Sequence, residues 1–447
     1  MENKFDLLRK KYDTFIYRSF KVFKTDKDLV ISYLFETVNL CKFEPTIEIP
    51  LSCIKKEDIN EQFINYLAFN IGLVELLSYV KATCSKNIII EAGYIDDEAV
   101  KWFKKLYYNG LGEFLYLNKI QVSEEDLFNI IVKASPIDFI TTDYHGYGNL
   151  IPVGGGKDSN VTMELLKKYQ NTPFVINPKS VHEECIMAAG YKNPVYVKRI
   201  LDKNILKLNK EGFLNGHTPF SAIVAFISFL VAYLQNKKYI VLSNESSANE
   251  STIIGTSINH QYSKSYTFES DFNFYAAKYF KIDIKYFSLL RMLNESQISL
   301  LFSKYKKYHK VFKSCNVGSK NIPWVWCGEC PKCLFVYSIL SPYLEKEELY
   351  SIFNKDLFDD KSLLNTFLEL LGYADRKPFE CVGTYEEVRD AVSRTILNYK
   401  GPLPYLLEYY KKHYKIETHD FLHLLNKENF IPLEYQLVVE EELKKYV

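Results

Sequence analysis

The sequence predicts an α/β protein built on a doubly wound, mainly parallel sheet, and three observations carry that expectation. From Leu150 onward, short apolar runs bounded by turn residues alternate with stretches whose apolar positions recur at helical spacing. Strands separated by helical runs pair in parallel, because only a crossover returns the chain to the same end of the sheet. The length of 447 residues, with 47% of them hydrophobic, provides for two or three domains with substantial cores.

The elements divide the chain into an N-terminal α+β segment (1–137), an α/β segment (138–345) and a helical C-terminal region (346–447). In the first, Thr46–Ile49 alternates polar and apolar residues up to Pro50, and Asn60–Thr83 carries a long helical pattern. Asn87–Glu91, with three isoleucines, reads as a buried strand, and Gly110–Phe114 reads as the punctuation of another. No catalytic constellation is visible there, so the segment is expected to shape a substrate site or to pack on the next domain. The second contains strand candidates at Leu150–Val153, Phe174–Ile176, Val195–Ile200, Tyr239–Leu242 and Ile282–Phe287. Ligands in such sheets bind beyond the carboxyl ends of strands. That rule brings 154–159, 177–179 and 243–245 to the rim of one site. Phe220–Leu234 reads as a core helix, capped by Thr218 with Pro219 at its first position, and falls short of the about 20 residues that span a bilayer. After Cys333, helical runs cover Leu334–Leu344, Leu363–Leu371, Tyr385–Leu397 and Leu433–Tyr446.

A net charge of +1 removes the electrostatic case for nucleic acid or an anionic membrane as partner. The mixed basic and aromatic run Lys304–Lys310 is accordingly read as a solvated helix face. Met1–Tyr12 is too charged for a secretory signal, which points to the cytoplasm. In that compartment the nine cysteines are expected to be free or metal-bound.

The strand ending at Val153 runs into Gly154-Gly155-Gly156-Lys157-Asp158-Ser159, which opens a helix. Glycines between strand and helix let backbone amides face an anion, and the helix N-terminus adds partial positive charge. A Walker loop is excluded, since Asp158 stands where Ser or Thr must follow the lysine. The segment resembles the pyrophosphate loop of ATP pyrophosphatases, Ser-Gly-Gly-x-Asp-Ser, with Gly154 in place of the first serine. Further on, Cys315, Cys327, Cys330 and Cys333 have the spacing of a four-thiolate metal site. Zinc in a structural role is the favoured occupant and an iron–sulfur cluster the alternative. The other five, Cys41, Cys53, Cys84, Cys185 and Cys381, read as small core residues, with Cys185 notable for following a rim segment.

The phosphate loop followed by Ser314-Cys315 and Cys327-Gly-x-Cys330-x-x-Cys333 resembles 7-cyano-7-deazaguanine synthase. Asn215–Phe220, Ser243–Glu250, Asn259–Ser265 and Lys377–Thr384 instead resemble the UDP-N-acetylmuramoyl-L-alanyl-L-glutamate epimerase family, as do the extra N-terminal segment and helical tail. That resemblance implies inversion of the terminal L-glutamate of a nucleotide-sugar dipeptide through a carboxylate adenylate. ATP would be consumed, with release of AMP and diphosphate, in peptidoglycan precursor synthesis. The amides of Gly154, Gly155 and Gly156, with Lys157 and Ser159, would hold phosphate, and Asp158 would position Mg2+. Asn177 is then an adenosine contact, and Asn244, Glu245, Asn249 and Glu250 bind substrate or metal. His260 and Lys264 are the candidate proton-transfer groups, with Tyr262 and Cys185 as further candidates, while His182 and His217 each contact phosphate or cap a helix. Two alternatives remain: another carboxylate-adenylating enzyme of the pyrophosphatase-loop superfamily, and a zinc-stabilised nucleotide-binding protein without turnover.

Overall fold

The computed structural model describes residues 3–136, 142–249, 259–321, 324–374 and 376–447. Eleven strands form one sheet: β1 (Thr14–Lys24), β2 (Asp28–Thr37), β3 (Cys41–Phe43), β4 (Thr46–Pro50), β5 (Asn87–Ile90), β6 (Asn129–Val132), β7 (Asn149–Pro152), β8 (Asn171–Ile176), β9 (Val195–Ile200), β10 (Tyr239–Leu242) and β11 (Lys285–Ser288). Their spatial order is β11-β10-β7-β8-β9-β4-β2-β1-β5-β6, with β3 on β2. Strands β11 to β9 are all parallel, each reached through a helical crossover. The antiparallel pairing of β4 with β9, Thr46 opposite Ile200 and Glu48 opposite Lys198, joins the N-terminal strands to that parallel set.

The sheet is covered on both faces, and its alternation shows how. Leu150, Phe174, Ile240 and Tyr286 point into one core, while their neighbours Ile151, Val175, Val241 and Phe287 point into the other. The first core runs from Phe5 to Tyr286 and the second from Ile151 to Leu443, so each draws on two of the three expected segments. A buried fork links the sheet to the N-terminal helix Glu61–Glu75. Arg199 of β9 donates to both carboxylate oxygens of Glu75, at 2.7 and 2.8 Å, and to Ser78 Oγ.

Two expectations change. Gly110–Phe114 lies not beside a strand but at the junction of helices Asp97–Gly110 and Gly112–Leu117. Asp96 caps the first through Ala99 N at 2.8 Å, and Ala99, Phe103, Leu106 and Tyr107 bury its inner face. Thr218 does not cap Phe220–Leu234, whose N-cap is Pro219; its hydroxyl instead accepts from the buried Lys81 ammonium at 2.6 Å. The helical stretch Glu61–Val80 is longer than Phe220–Leu234. By composition and length alone it resembles a membrane span, yet 89% of its apolar window is buried within the protein. The Lys304–Lys310 run is largely paired off, Lys306 with Glu348 and Lys307 with Glu164.

Candidate active site

The loop after β7 is shaped for close approach. Val153 N still bonds Phe174 O at 2.9 Å, extending the ladder, and the chain then turns sharply. Gly155 has φ +77, and a Cβ there would sit 3.2 Å from both methyls of Val181, so backbone and space both call for glycine. Gly154 is exposed, with nothing within 4 Å of where a Cβ would lie. Gly156 is the N-cap of helix Lys157–Leu165 and supplies no side chain to the free amides of its first turn. Ser159 Oγ rests on Gly156 O at 3.2 Å. Beneath the loop, the buried Cys185 thiol donates to Gly155 O and accepts from Asn160, and burial pushes it up to about 11. It is a structural support, and its place as a proton-transfer candidate is withdrawn. His182 packs beside Gly155, its Nδ1 accepting from Lys179 N, and burial lowers it to about 4, a neutral ring at neutral pH.

Lys157 turns inward. Its ammonium pairs with Asp158 and, at 2.5 Å, with Glu295 at the start of helix Glu295–Lys304. Burial opposes that charge, but Asp158, Glu295 and Glu245 outweigh it and raise Lys157. Burial lifts Glu295 to about 8; Lys157 pulls the other way, but Asp158, Glu245 and Glu387 reinforce the rise. Three carboxylates, Asp158, Glu245 and Glu295, thus crowd one ammonium, and each follows the carboxyl end of a neighbouring strand: β7, β10 and β11 respectively. Glu387 closes the group from the C-terminal region, accepting from Glu295 N at 2.7 Å and from Thr384. The fully buried Arg291 bonds Glu245 O at 2.6 Å, Lys264 O and Glu269, fixing the two backbone segments that carry Glu245 and Lys264.

A second cluster adjoins the first through Lys264. Its ammonium donates to Cys381 Sγ at 3.1 Å and lies in the field of Glu245 and Asp158. His260 bonds Cys381 on one side and Glu113 on the other. Glu113 also lies 3.5 Å from His217 Nδ1. Lys332 donates to the Cys381 carbonyl. Burial alone would raise the Cys381 thiol; Lys264, His260 and Lys332 bring it down to about 6. Burial opposes the charge on His260, yet Cys381 and Glu113 hold it up at about 9. Burial and the neighbouring His260 push His217 down to about 4. Phe379 forms the outer wall, between His260 and Tyr116. Beyond it opens a cavity of about 840 Å3 lined by Tyr108, Tyr116, Lys119 and Arg376, among others.

The remaining candidates are already engaged. Both polar atoms of the Asn177 side chain bond the backbone of Arg199, prolonging the β8–β9 ladder. Asn244 donates to Ser288 Oγ, and Asn249 accepts from Tyr266 N as part of the fold. Tyr262 lies buried against Asp271. Glu250 lies outside the described residues. Glu113, Glu295, Glu387, Lys332 and Cys381 are additions to the site. Cys381 stands in a motif already singled out, Lys377–Thr384, while Glu113 falls in the Gly110–Phe114 stretch and Lys332 inside the cysteine motif, neither of them read there for chemistry.

The four cysteines converge as their spacing implies. Sulfur separations are 3.6 Å for Cys315–Cys330, 3.7 Å for Cys327–Cys333 and 3.5 Å for Cys330–Cys333. Thiolates at about 2.3 Å from a tetrahedral ion stand about 3.8 Å apart, so the set fits a single metal. An iron–sulfur cluster, with sulfide and several irons between the thiolates, would spread them further. Gly318 N donates to Cys315 Sγ at 3.1 Å, which steadies a thiolate, and a Cβ on Gly318 would collide with Val325 O at 1.8 Å.

Titratable groups held away from their ordinary protonation states, gathered where three parallel strands end, mark an α/β enzyme. Residues 7–289 match the MurL N-terminal domain and residues 311–400 the MurL C-terminal domain. The chain belongs to the MurL family. It is 36% identical over 332 residues, 72% of each chain, to the UDP-N-acetyl-alpha-D-muramoyl-L-alanyl-L-glutamate epimerase of Xanthomonas oryzae pv. oryzae. To the enzyme of the same name from a Micromonospora species it is 33% identical over 358 residues, 79% of each.

Proposed function

We propose that this enzyme inverts the terminal L-glutamate of UDP-N-acetylmuramoyl-L-alanyl-L-glutamate by adenylating its carboxylate, with ATP converted to AMP and diphosphate. The carrying observation is proximity: Lys264 donates to Cys381 of the Cys381–His260–Glu113 group and lies in the field of Asp158, which follows the open glycine loop after β7. The names of the relatives support the substrate, and the loop's likeness to that of ATP pyrophosphatases supports the fold assignment and ATP.

The chemistry explains why the two must adjoin. An α-proton beside a carboxylate is hard to remove, because the carbanion would gather charge next to existing charge. Adenylation removes that charge and leaves a carbonyl that delocalises the carbanion. The amides of Gly154–Gly156 and the first helical turn would receive phosphate oxygens. Lys157, held between Asp158 and Glu295, would contribute its field from within rather than as a surface contact. Asp158, Glu245 and Glu295 are the hard oxygen donors that would hold Mg2+, whose charge offsets that developing on the phosphates. Four thiolates leave no open position, so a zinc ion there would be structural. It would fix the helix start that carries Lys332, whose ammonium donates to the Cys381 carbonyl. The nucleotide-sugar arm has room in the cavity beyond Phe379. Such a step belongs to peptidoglycan precursor synthesis on the cytoplasmic side, with no nucleic acid or membrane partner.

Incubation with ATP, Mg2+ and the L-glutamate substrate, followed by chiral analysis of glutamate, tests the proposal. D-glutamate with AMP is expected. ADP in place of AMP refutes adenylation, and AMP with only L-glutamate refutes epimerisation.

A further inference from the structure

We propose that Cys381 Sγ is the atom that takes the α-proton on one face of the terminal glutamate. The inference rests on the epimerisation reading above and names the base that reading leaves open. Among the described residues, four cysteines face one another as a metal set, Cys53, Cys84 and Cys185 are buried, and the half-buried Cys41 lies on β3, in the N-terminal segment. Cys381 is only partly buried and is bonded to two basic side chains, Lys264 and His260.

Its position agrees with the task. Two residues further on, a Cβ at Gly383 would lie 2.9 Å from Glu295 Cγ, so this loop packs directly on the carboxylate that holds Lys157. The α-carbon of an acyl adenylate is separated from the α-phosphate only by the carbonyl carbon and one oxygen. A base for that carbon must therefore lie near the phosphate loop, and Cys381 is linked to it twice: through Lys264, which lies in the field of Asp158, and through Glu295, which pairs with Lys157. Lys264 and His260 lie against the sulfur, Lys332 donates to the carbonyl of the same residue and adds its field, and the acidic neighbours are Glu113 behind His260 and Glu380, which lies in the field of Lys332 and His260. The basic groups favour thiolate, so the sulfur stands ready with a free lone pair at neutral pH. Lys264 and His260 act through the sulfur and are positioning residues.

The step balances. The thiolate lone pair takes the α-proton, an S–H bond forms, and the C–H electron pair moves into the acyl carbonyl as an enolate. A separate donor returns one proton to the opposite face, and the thiol releases its own to solvent. The proton gained is therefore not the proton lost, and solvent hydrogen enters the α-carbon.

The test is C381S and C381A, compared with wild type in deuterated water. D-glutamate formation, α-deuterium incorporation and substrate-dependent AMP release are followed separately. Inversion and α-exchange should fall about 100-fold or more, the scale of a lost general base, and at least tenfold further than AMP release. Inversion by C381A within tenfold of wild type overturns the proposal. So does an equal fall of AMP release and inversion in well-folded variants, which would make Cys381 a binding residue. Wild type forming no D-glutamate removes the underlying reading, and the proposal with it. Should both variants fail to fold, iodoacetamide on wild type decides. Alkylation at Cys381 that is blocked by ATP plus substrate and abolishes inversion supports the base, and alkylation without loss of inversion overturns it. K264M should raise the pH at which Cys381 alkylates by more than one unit, which a purely structural lysine would not do.

Discussion

Replacing Arg199 by methionine isolates the electrostatics that hold the N-terminal helix to the sheet. Glu75 is fully buried, and Arg199 supplies two of its hydrogen bonds, at 2.7 and 2.8 Å. Methionine fills much of the arginine stem's volume but leaves a carboxylate stranded, with Tyr79 still bonded to it. Removing one partner of a buried pair costs about 3–5 kcal/mol, most of it the burden of the remaining charge. The pH dependence gives a second handle. Burial holds the Glu75 carboxyl above its ordinary value, with Arg199 opposing, and R199M removes the opposition. The folded variant therefore keeps a proton that the unfolded chain gives up. Stability then falls as pH rises from the ordinary carboxylate value towards the raised folded one, by about 1.4 kcal/mol per pH unit within that window. Urea unfolding followed by circular dichroism should show a larger penalty at pH 8 than at pH 5. The E75Q/R199M double variant should recover a large part of it, because the intact pair contributes little net stability. A single-variant cost below about 1 kcal/mol, a penalty that does not change with pH, or additive losses would each refute this account.

Other consequences are as specific. The purified protein should carry one zinc per chain and be colourless; strong chelation should lower its thermal midpoint, and a brown, iron-containing protein would contradict the sulfur geometry. G318A forces a Cβ against Val325 O and should release that zinc, read by metal analysis, while leaving the mutated chain's β-sheet signal in place. E113Q removes one of the groups that hold His260 protonated, so its titration, followed by NMR of labelled histidine, should move from about 9 towards its ordinary 6.5. In wild type that raised value contributes stability fully present below pH 6.5 and lost as pH climbs through about 9; E113Q should flatten this slope in thermal melts.

Local signals were legible and long-range pairings were not. The glycine loop could be read because strand, turn and helix lie within a dozen residues and each has its own chemistry. The cysteine set was equally clear, three of its four members lying within seven residues. The long β1–β2 hairpin escaped, and a register shift between Tyr17 and Ser19 explains part of this by breaking the alternation that would have announced β1. The junction of β4 with β9 unites stretches some 150 residues apart, and neither carries a mark of the other.

The same reasoning explains why Cys381 looked ordinary. A thiol is made reactive by what surrounds it rather than by its neighbours in sequence. Lys264, His260 and Lys332 come from segments 117, 121 and 49 positions away, and Glu113 from a segment that showed no chemistry of its own. The motifs that resembled the epimerase family were scattered, yet Asn215–Phe220, Asn259–Ser265 and Lys377–Thr384 supply His217, then His260 and Lys264, then Cys381. Segments with no local reason to share a character were therefore related by the fold. Wherever several uncommon polar motifs lack a structural role of their own, the economical expectation is that they meet, and here they meet beside the loop that would hold ATP.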